Sequence, residues 1–250
     1  MNLFWIDHFL FIIVGIVIPA LAVMSMNKVD EVDMEFIDLP RPSKKRIYYT
    51  NGLILWLGVV IILFSWYFGP KQFNLLGLQA PKFSTYTLIF SFALLAIYII
   101  DLVKSYKEYE SPSNEENKFF EDIMPVNWKE YAHFCFLAIS AGVCEEFIFR
   151  GFLINYLNVV FESTGHSLVI ACILTSVIFA MSHLQQGFDN VLKIAVLALL
   201  FALIFILSES LIIVIILHAF VDLVSGAMMV IASKKNMKNH GSEKNELYSK

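Results

Sequence analysis

The chain has 250 residues, of which 58% are hydrophobic and only 16% charged, with a formal net charge of −4. A water-soluble domain carries about 25% charged and 45–50% apolar residues, so a soluble globular protein is excluded. No basic patch interleaved with aromatics and no recognition helix is visible, which excludes a nucleic-acid partner.

The expected fold is all-α, a polytopic membrane bundle of about seven to eight helices, because a spanning helix needs ~20 predominantly apolar residues. Helices are predicted over 4–25, 51–68, 85–103, 131–154, 168–184, 191–207 and 211–231. The first opens "MNLFWIDHFLF", with no basic region before it and no small-residue cleavage site after it, and reads as a retained helix rather than a signal peptide. An eighth helix fits only within 105–130, a polar stretch with an amphipathic piece around Phe119–Met124. Three units follow: N-terminal helices and loops over 1–129, a helical core over 130–231 and a basic tail over 232–250. Cys135, Cys144 and Cys172 all lie in apolar runs and give no disulfide framework.

The basic residues are lopsided. Loops 26–50 and 104–130 and the tail hold most of the lysines and arginines, whereas the opposite side has only Lys71 and Lys82. The positive-inside rule then places both loops and the C-terminus in the cytoplasm, with the N-terminus outside a cell membrane crossed several times.

Against this apolar background, "CEEFIFRG" at 144–151 stands out. Each charge near the centre of a spanning helix costs roughly 2.5–3.5 kcal/mol, and ionisable residues at that depth mark function by default. Glu146 and Arg150 are four apart, acid before base, the favourable order for a pair on one helix face. Glu145 points about 100° away from Glu146 and is left free. A purely structural ion pair is the plainer reading, but it would need one glutamate, not two. His183 follows Phe179 by four residues in "FAMSH", and His218 precedes Asp222 by four in "HAFVD". Each could be ordinary: an interfacial histidine packed on an aromatic, or a polar clamp between helices. Together they supply a spare carboxylate, two imidazoles and another carboxylate. That inventory suits water activation, with Glu145 as general base. It also suits zinc held by Glu145, His183 and His218, a ligand set with one open position. The single-helix HExxH motif is absent, so any metal site would be assembled across helices.

The three motifs, in this order on successive helices, resemble the signature of the CPBP family. These are the CAAX-protease and bacteriocin-processing (Abi) intramembrane proteases, related to the type II CAAX prenyl endopeptidases. The resemblance covers roughly 130–230 and implies an intramembrane endopeptidase that cleaves a peptide or a lipidated protein. By that likeness, Glu145 and His183 activate the water, while His218 and Asp222 stabilise the oxyanion. Glu146, Arg150 and Phe179 support the site. The family's last motif ends in Asn or Asp, and the prenyl-endopeptidase relatives resemble the Asn version; Asp222 donates a hydrogen bond only when protonated and otherwise orients His218 or helps to bind a metal. The metal-free version is preferred over the zinc version, because the glutamate and histidines alone supply a base and an oxyanion donor. Bacterial relatives point to peptide maturation or bacteriocin-related processing. The competing readings are a non-catalytic immunity or binding protein and a proton-coupled transporter. The transporter lacks the internal repeats and broken helices it would normally show.

One expectation conflicts with this site. At ~1.5 Å rise per residue, the predicted bounds put Glu145 about 14 Å, His218 about 11 Å and His183 about 22 Å below the outer helix ends. Convergence requires helix 4 to continue past Tyr156, helix 5 to be displaced, or steep crossings.

Overall fold

The computed structural model describes residues 3–29, 42–69, 71–109 and 123–247. Seven helices carry these residues. Helix α1 runs Trp5–Phe11, widens into a π-helical stretch Ile12–Val17 and continues as Ile18–Val29. Then come α2 (Lys44–Phe68), α3 (Thr85–Tyr109) and α4, which runs Trp128–Glu146 and passes through a π-helical stretch Phe147–Leu153 into Ile154–Val160. The last three are α5 (Ser167–Met181), α6 (Phe188–Ser208) and α7 (Leu211–Leu247). Six are long and apolar enough to cross a membrane, and α5 is a shorter apolar helix. The protein is a multi-pass helical bundle. Most of the segment in which an eighth helix is expected, 110–122, lies outside the described residues.

Helix ends differ from the hydropathy bounds because polar caps carry helices beyond their apolar stretches. Ser43 Oγ accepts the backbone N–H of Arg46 at 3.4 Å, so α2 starts at Lys44, not at 51. Asn127 Oδ1 accepts from the Glu130 N–H at 2.9 Å, and the Glu130 carboxylate accepts in return from the Val126 N–H at 3.1 Å, so α4 starts at Trp128. Lys44 ties these two ends together, 3.4 Å from Glu130 and donating to the Met124 carbonyl at 2.8 Å.

Leu76, Phe152, Leu153 and Leu211 are fully buried in one core with Trp66, whose ring meets Phe152 edge-on at 6.4 Å. The outward face of α2 exposes Leu53, Leu57, Val60 and Phe64. In a spanning helix such a face is covered by lipid, because hydrocarbon solvates it and water does not.

A buried clamp at the other end of α2 holds α1. Lys71 donates to Asp7 Oδ2 at 2.6 Å and to Ser65 Oγ at 2.7 Å, and its ammonium lies 4.6 Å from the Trp66 ring centroid. Burial pulls the Lys71 ammonium below the ordinary lysine range, while its hydrogen bond to Asp7 and the charge of that carboxylate oppose the shift.

The depth conflict disappears in this architecture. Helix α4 does continue past Tyr156, to Val160, which places Glu145 about 22 Å from that end. Helix α5 has 15 residues, about 22 Å, and stops at Met181, so His183 sits just past a helix end and not inside a helix as expected. Helix α7 starts beneath the loop that follows α2: Leu211 is fully buried and donates its N–H to the Gly77 carbonyl at 2.8 Å. Gly77 turns this loop with φ +73°, a left-handed conformation that glycine adopts without strain.

Candidate active site

Helices α4 and α7 touch backbone to backbone next to the first motif. A Cβ on Gly142 would fall 2.7 Å from Ala219 N and 2.8 Å from its Cα, so only glycine permits this approach. His218, the neighbour of Ala219, is thereby brought onto α4. Its Nδ1–H donates to Glu146 Oε1 at 2.7 Å.

Glu146 is fully buried and does two things at once. The same Oε1 accepts from Arg150 Nη1 at 2.9 Å, the i,i+4 pair expected from the spacing. Arg150 Nη2 donates to the Ala198 carbonyl of α6 at 3.0 Å, and the guanidinium lies 5.1 Å from the Phe179 ring and 5.4 Å from that of Phe201. The Phe201 ring also packs on His218 at 5.4 Å between centroids, and Phe179 packs on His183 at 4.7 Å. One ion pair therefore fixes α4 to α6 through Arg150 and to α7 through His218. Sequence reasoning found the pair but missed Gly142, Phe201 and the Ala198 carbonyl. A backbone acceptor and an aromatic among many others leave no pattern to read.

Glu145 is the free carboxylate. The helix changes to π-helical geometry just beyond it, a feature common at functional sites. Glu145, His183, His218 and Asp222 all line one cavity of about 470 Å³, walled otherwise by apolar groups such as Ile54, Leu137 and Phe149 and by the polar Asn51, Ser182 and Gln185. Oε2 of Glu145 is 3.8 Å and Oδ2 of Asp222 3.7 Å from His218 Nε2, with side-chain exposures of 16% and 30%. The carboxylate that orients His218 is thus Glu146, at hydrogen-bond distance on Nδ1, while Asp222 stands farther off on the other nitrogen.

The two histidines present opposite chemistry. His183 Nδ1 is 2.8 Å from the Phe179 carbonyl oxygen, which can only accept, so Nδ1 carries the proton and Nε2 keeps its lone pair. His218 has carboxylates facing both nitrogens, so its Nε2 has acceptors in front of it and serves as a donor when the ring is doubly protonated.

Metal ligation finds less support. Among the described residues, no group of three His, Cys, Asp or Glu side chains is arranged so that it could hold a metal ion. Glu145, His183 and His218 share the cavity without forming such a group. The three cysteines are free, with Cys144 and Cys172 buried, and none lines this cavity.

Comparison with known proteins bears on the same helices. Residues 127–224 match the family model described as type II CAAX prenyl endopeptidase Rce1-like. No curated protein and no solved structure matches the chain. The matched segment runs from the cap of α4 into α7 and contains all three motifs. Residues 127–224, less than half of the chain, are thus similar to the type II CAAX prenyl endopeptidases.

Proposed function

We propose that the protein hydrolyses a peptide bond of a peptide or lipidated protein substrate inside the bilayer, with water activated by Glu145 and no metal. The observation that carries this reading is the Glu145 carboxylate in a largely apolar cavity, 3.8 Å from His218 Nε2, beside one histidine with a free lone pair and one with a donor. Glu145 takes a proton from water held with His183 Nε2, and the hydroxide attacks the carbonyl carbon. The electron pair displaced onto the carbonyl oxygen is met by His218 Nε2–H, held in place by Glu146. Glu145 then returns its proton to the amide nitrogen, and the C–N bond breaks. Glu146, Arg150, Phe179 and Phe201 hold His218 and α4 in register. A cytoplasmic C-terminus and an external N-terminus, and a role in maturing small peptides including bacteriocin-related ones, belong to the same reading.

The test is Glu145→Gln, which keeps the shape and removes the basicity. Purified variant should fold as wild type and cleave at least ~10²-fold more slowly. Comparing secreted and membrane peptides from cells with each form identifies the substrate. A variant that cleaves at the wild-type rate overturns the proposal.

A further inference from the structure

A second cavity, about 280 Å³, lies between α3, α6 and α7. Asp222, Gln186 and Met124 line both cavities, so the two are neighbours across a shared wall. Both linings mix apolar and polar groups, and the second carries the ion pair of Asp101 and Lys193 together with Asn190, Tyr98 and Ser225. Most of these are already engaged. Lys193 pairs with Asp101 at 2.7 Å and donates to Asn190 Oδ1 at 3.2 Å. Tyr98 OH donates to the Val221 carbonyl at 3.0 Å and lies 3.1 Å from Ser225 Oγ.

Charge then decides what the second cavity accepts. Arg150 offsets Glu146 and Lys193 offsets Asp101, which leaves Glu145 and Asp222 facing the imidazoles of His218 and His183. Even with the His218 ring doubly protonated, the two carboxylates outnumber it while His183 keeps the Nε2 lone pair that the proposed reaction uses, so the junction between the cavities carries an excess negative charge and a cation is favoured there. Peptide hydrolysis makes one. The departing nitrogen leaves with the proton from Glu145 and takes a second from solvent, becoming an α-ammonium, while the acyl fragment leaves as a carboxylate. A carboxylate entering the second cavity would meet Asp222 and Asp101 with the lysine already paired.

We propose that the second cavity binds the fragment on the leaving side of the scissile bond, with its new α-ammonium on Asp222. This rests on the proteolytic reading and gives the aspartate a task an asparagine could not perform with a charge. The cavity is at the low end of the ~300–1,000 Å³ of small-molecule sites, room for about two or three residues. The catalytic cavity is left for the retained side of the substrate.

Binding tests this without turnover. Wild-type full-length protein in lipid nanodiscs is exposed to two benzophenone-bearing tripeptides, one with a free amino terminus and one N-acetylated, and labelled residues are mapped by mass spectrometry. The free-amine tripeptide should label the walls of the second cavity, at Ile194, Met228 or Met229, and bind at least about tenfold more tightly than the acetylated one. Asp222→Asn should erase that difference. Ile194→Trp, which fills the cavity, should abolish labelling while thermal stability stays at the wild-type level. Equal binding of the two tripeptides, labelling confined to the catalytic cavity, or no labelling overturns the proposal. Cleavage of longer peptides is measured separately: selective binding without cleavage sinks the proteolytic reading, and cleavage without selective binding sinks this one.

Discussion

Gly142→Ala tests the positioning of the site most directly, because the added carbon meets backbone. The new Cβ would lie 2.7 Å from Ala219 N, where ordinary contact begins at 3.4 Å, so α4 and α7 must part by about 0.7 Å. Carried to the adjacent residue, that shift stretches the bond from His218 Nδ1 to Glu146 Oε1 from 2.7 Å to about 3.4 Å, outside normal hydrogen-bond range. Overpacking costs about 1–3 kcal/mol, and a hydrogen bond to a charged group contributes about 1.5–3 kcal/mol. The expected total is a loss of roughly 2.5–6 kcal/mol and a fall in cleavage of about 10²-fold, since misplacement by an ångström has that effect on a catalytic group. Reversible denaturation of detergent-solubilised protein measures the first and peptide cleavage the second. Gly58→Ala is the control, since its added carbon meets only the flexible end of Ile148 at 3.3 Å, and it should cost clearly less. If Gly142→Ala melts and cleaves like wild type, the close approach of α4 and α7 does not position His218.

The remaining expectations concern the ion pairs and the metal. Arg150→Ala leaves the buried Glu146 with His218 alone as a partner, which should cost about 3–5 kcal/mol and lower protein abundance together with activity. Normal abundance with selective loss of cleavage would instead place Arg150 among the catalytic groups. Lys71→Met should destabilise by a similar ~3–5 kcal/mol by orphaning Asp7, and the double variant with Asp7→Leu should recover most of the loss, because an apolar pair is often as stable as a buried ionic one. A double variant no more stable than the single one would show that the clamp contributes more than its own charges. Purified protein should cleave in chelator and contain no stoichiometric metal; activity lost to chelator and restored by zinc would point to a metal enzyme.

The motif residues were legible because membrane depth makes them expensive. Glu145, Glu146, Arg150, His183, His218 and Asp222 are tolerated only when turned inward, so finding them in apolar runs already implied a shared interior. The structure places four of them on one cavity and the other two just behind it. What was not legible depends on polar ends and distant partners. Hydropathy stops where polar residues begin, so it clipped α2 at 51 and α4 at 154, just before Asn155, although Ser43 caps the one and the other runs to Val160. His183 looked helical because its apolar run continues, yet α5 ends at Met181. The clamp between Asp7 and Lys71 joins residues 64 apart, each unremarkable alone.

The doubled glutamate resolves into a division of labour set by one residue of helical rotation. Turning about 100° between neighbours sends Glu146 into the bundle and Glu145 to the cavity. Inside, Glu146 meets Arg150 and His218 and is fully buried, so its charge is compensated and its position fixed. Facing the cavity, Glu145 has no arginine, only the edge of His218 at 3.8 Å, and keeps a carboxylate free to take a proton. A single glutamate could not do both: the contacts that would hold it in place would also remove its basicity. Two adjacent acids therefore separate positioning from chemistry, and the costly second charge is the one the proposed reaction uses.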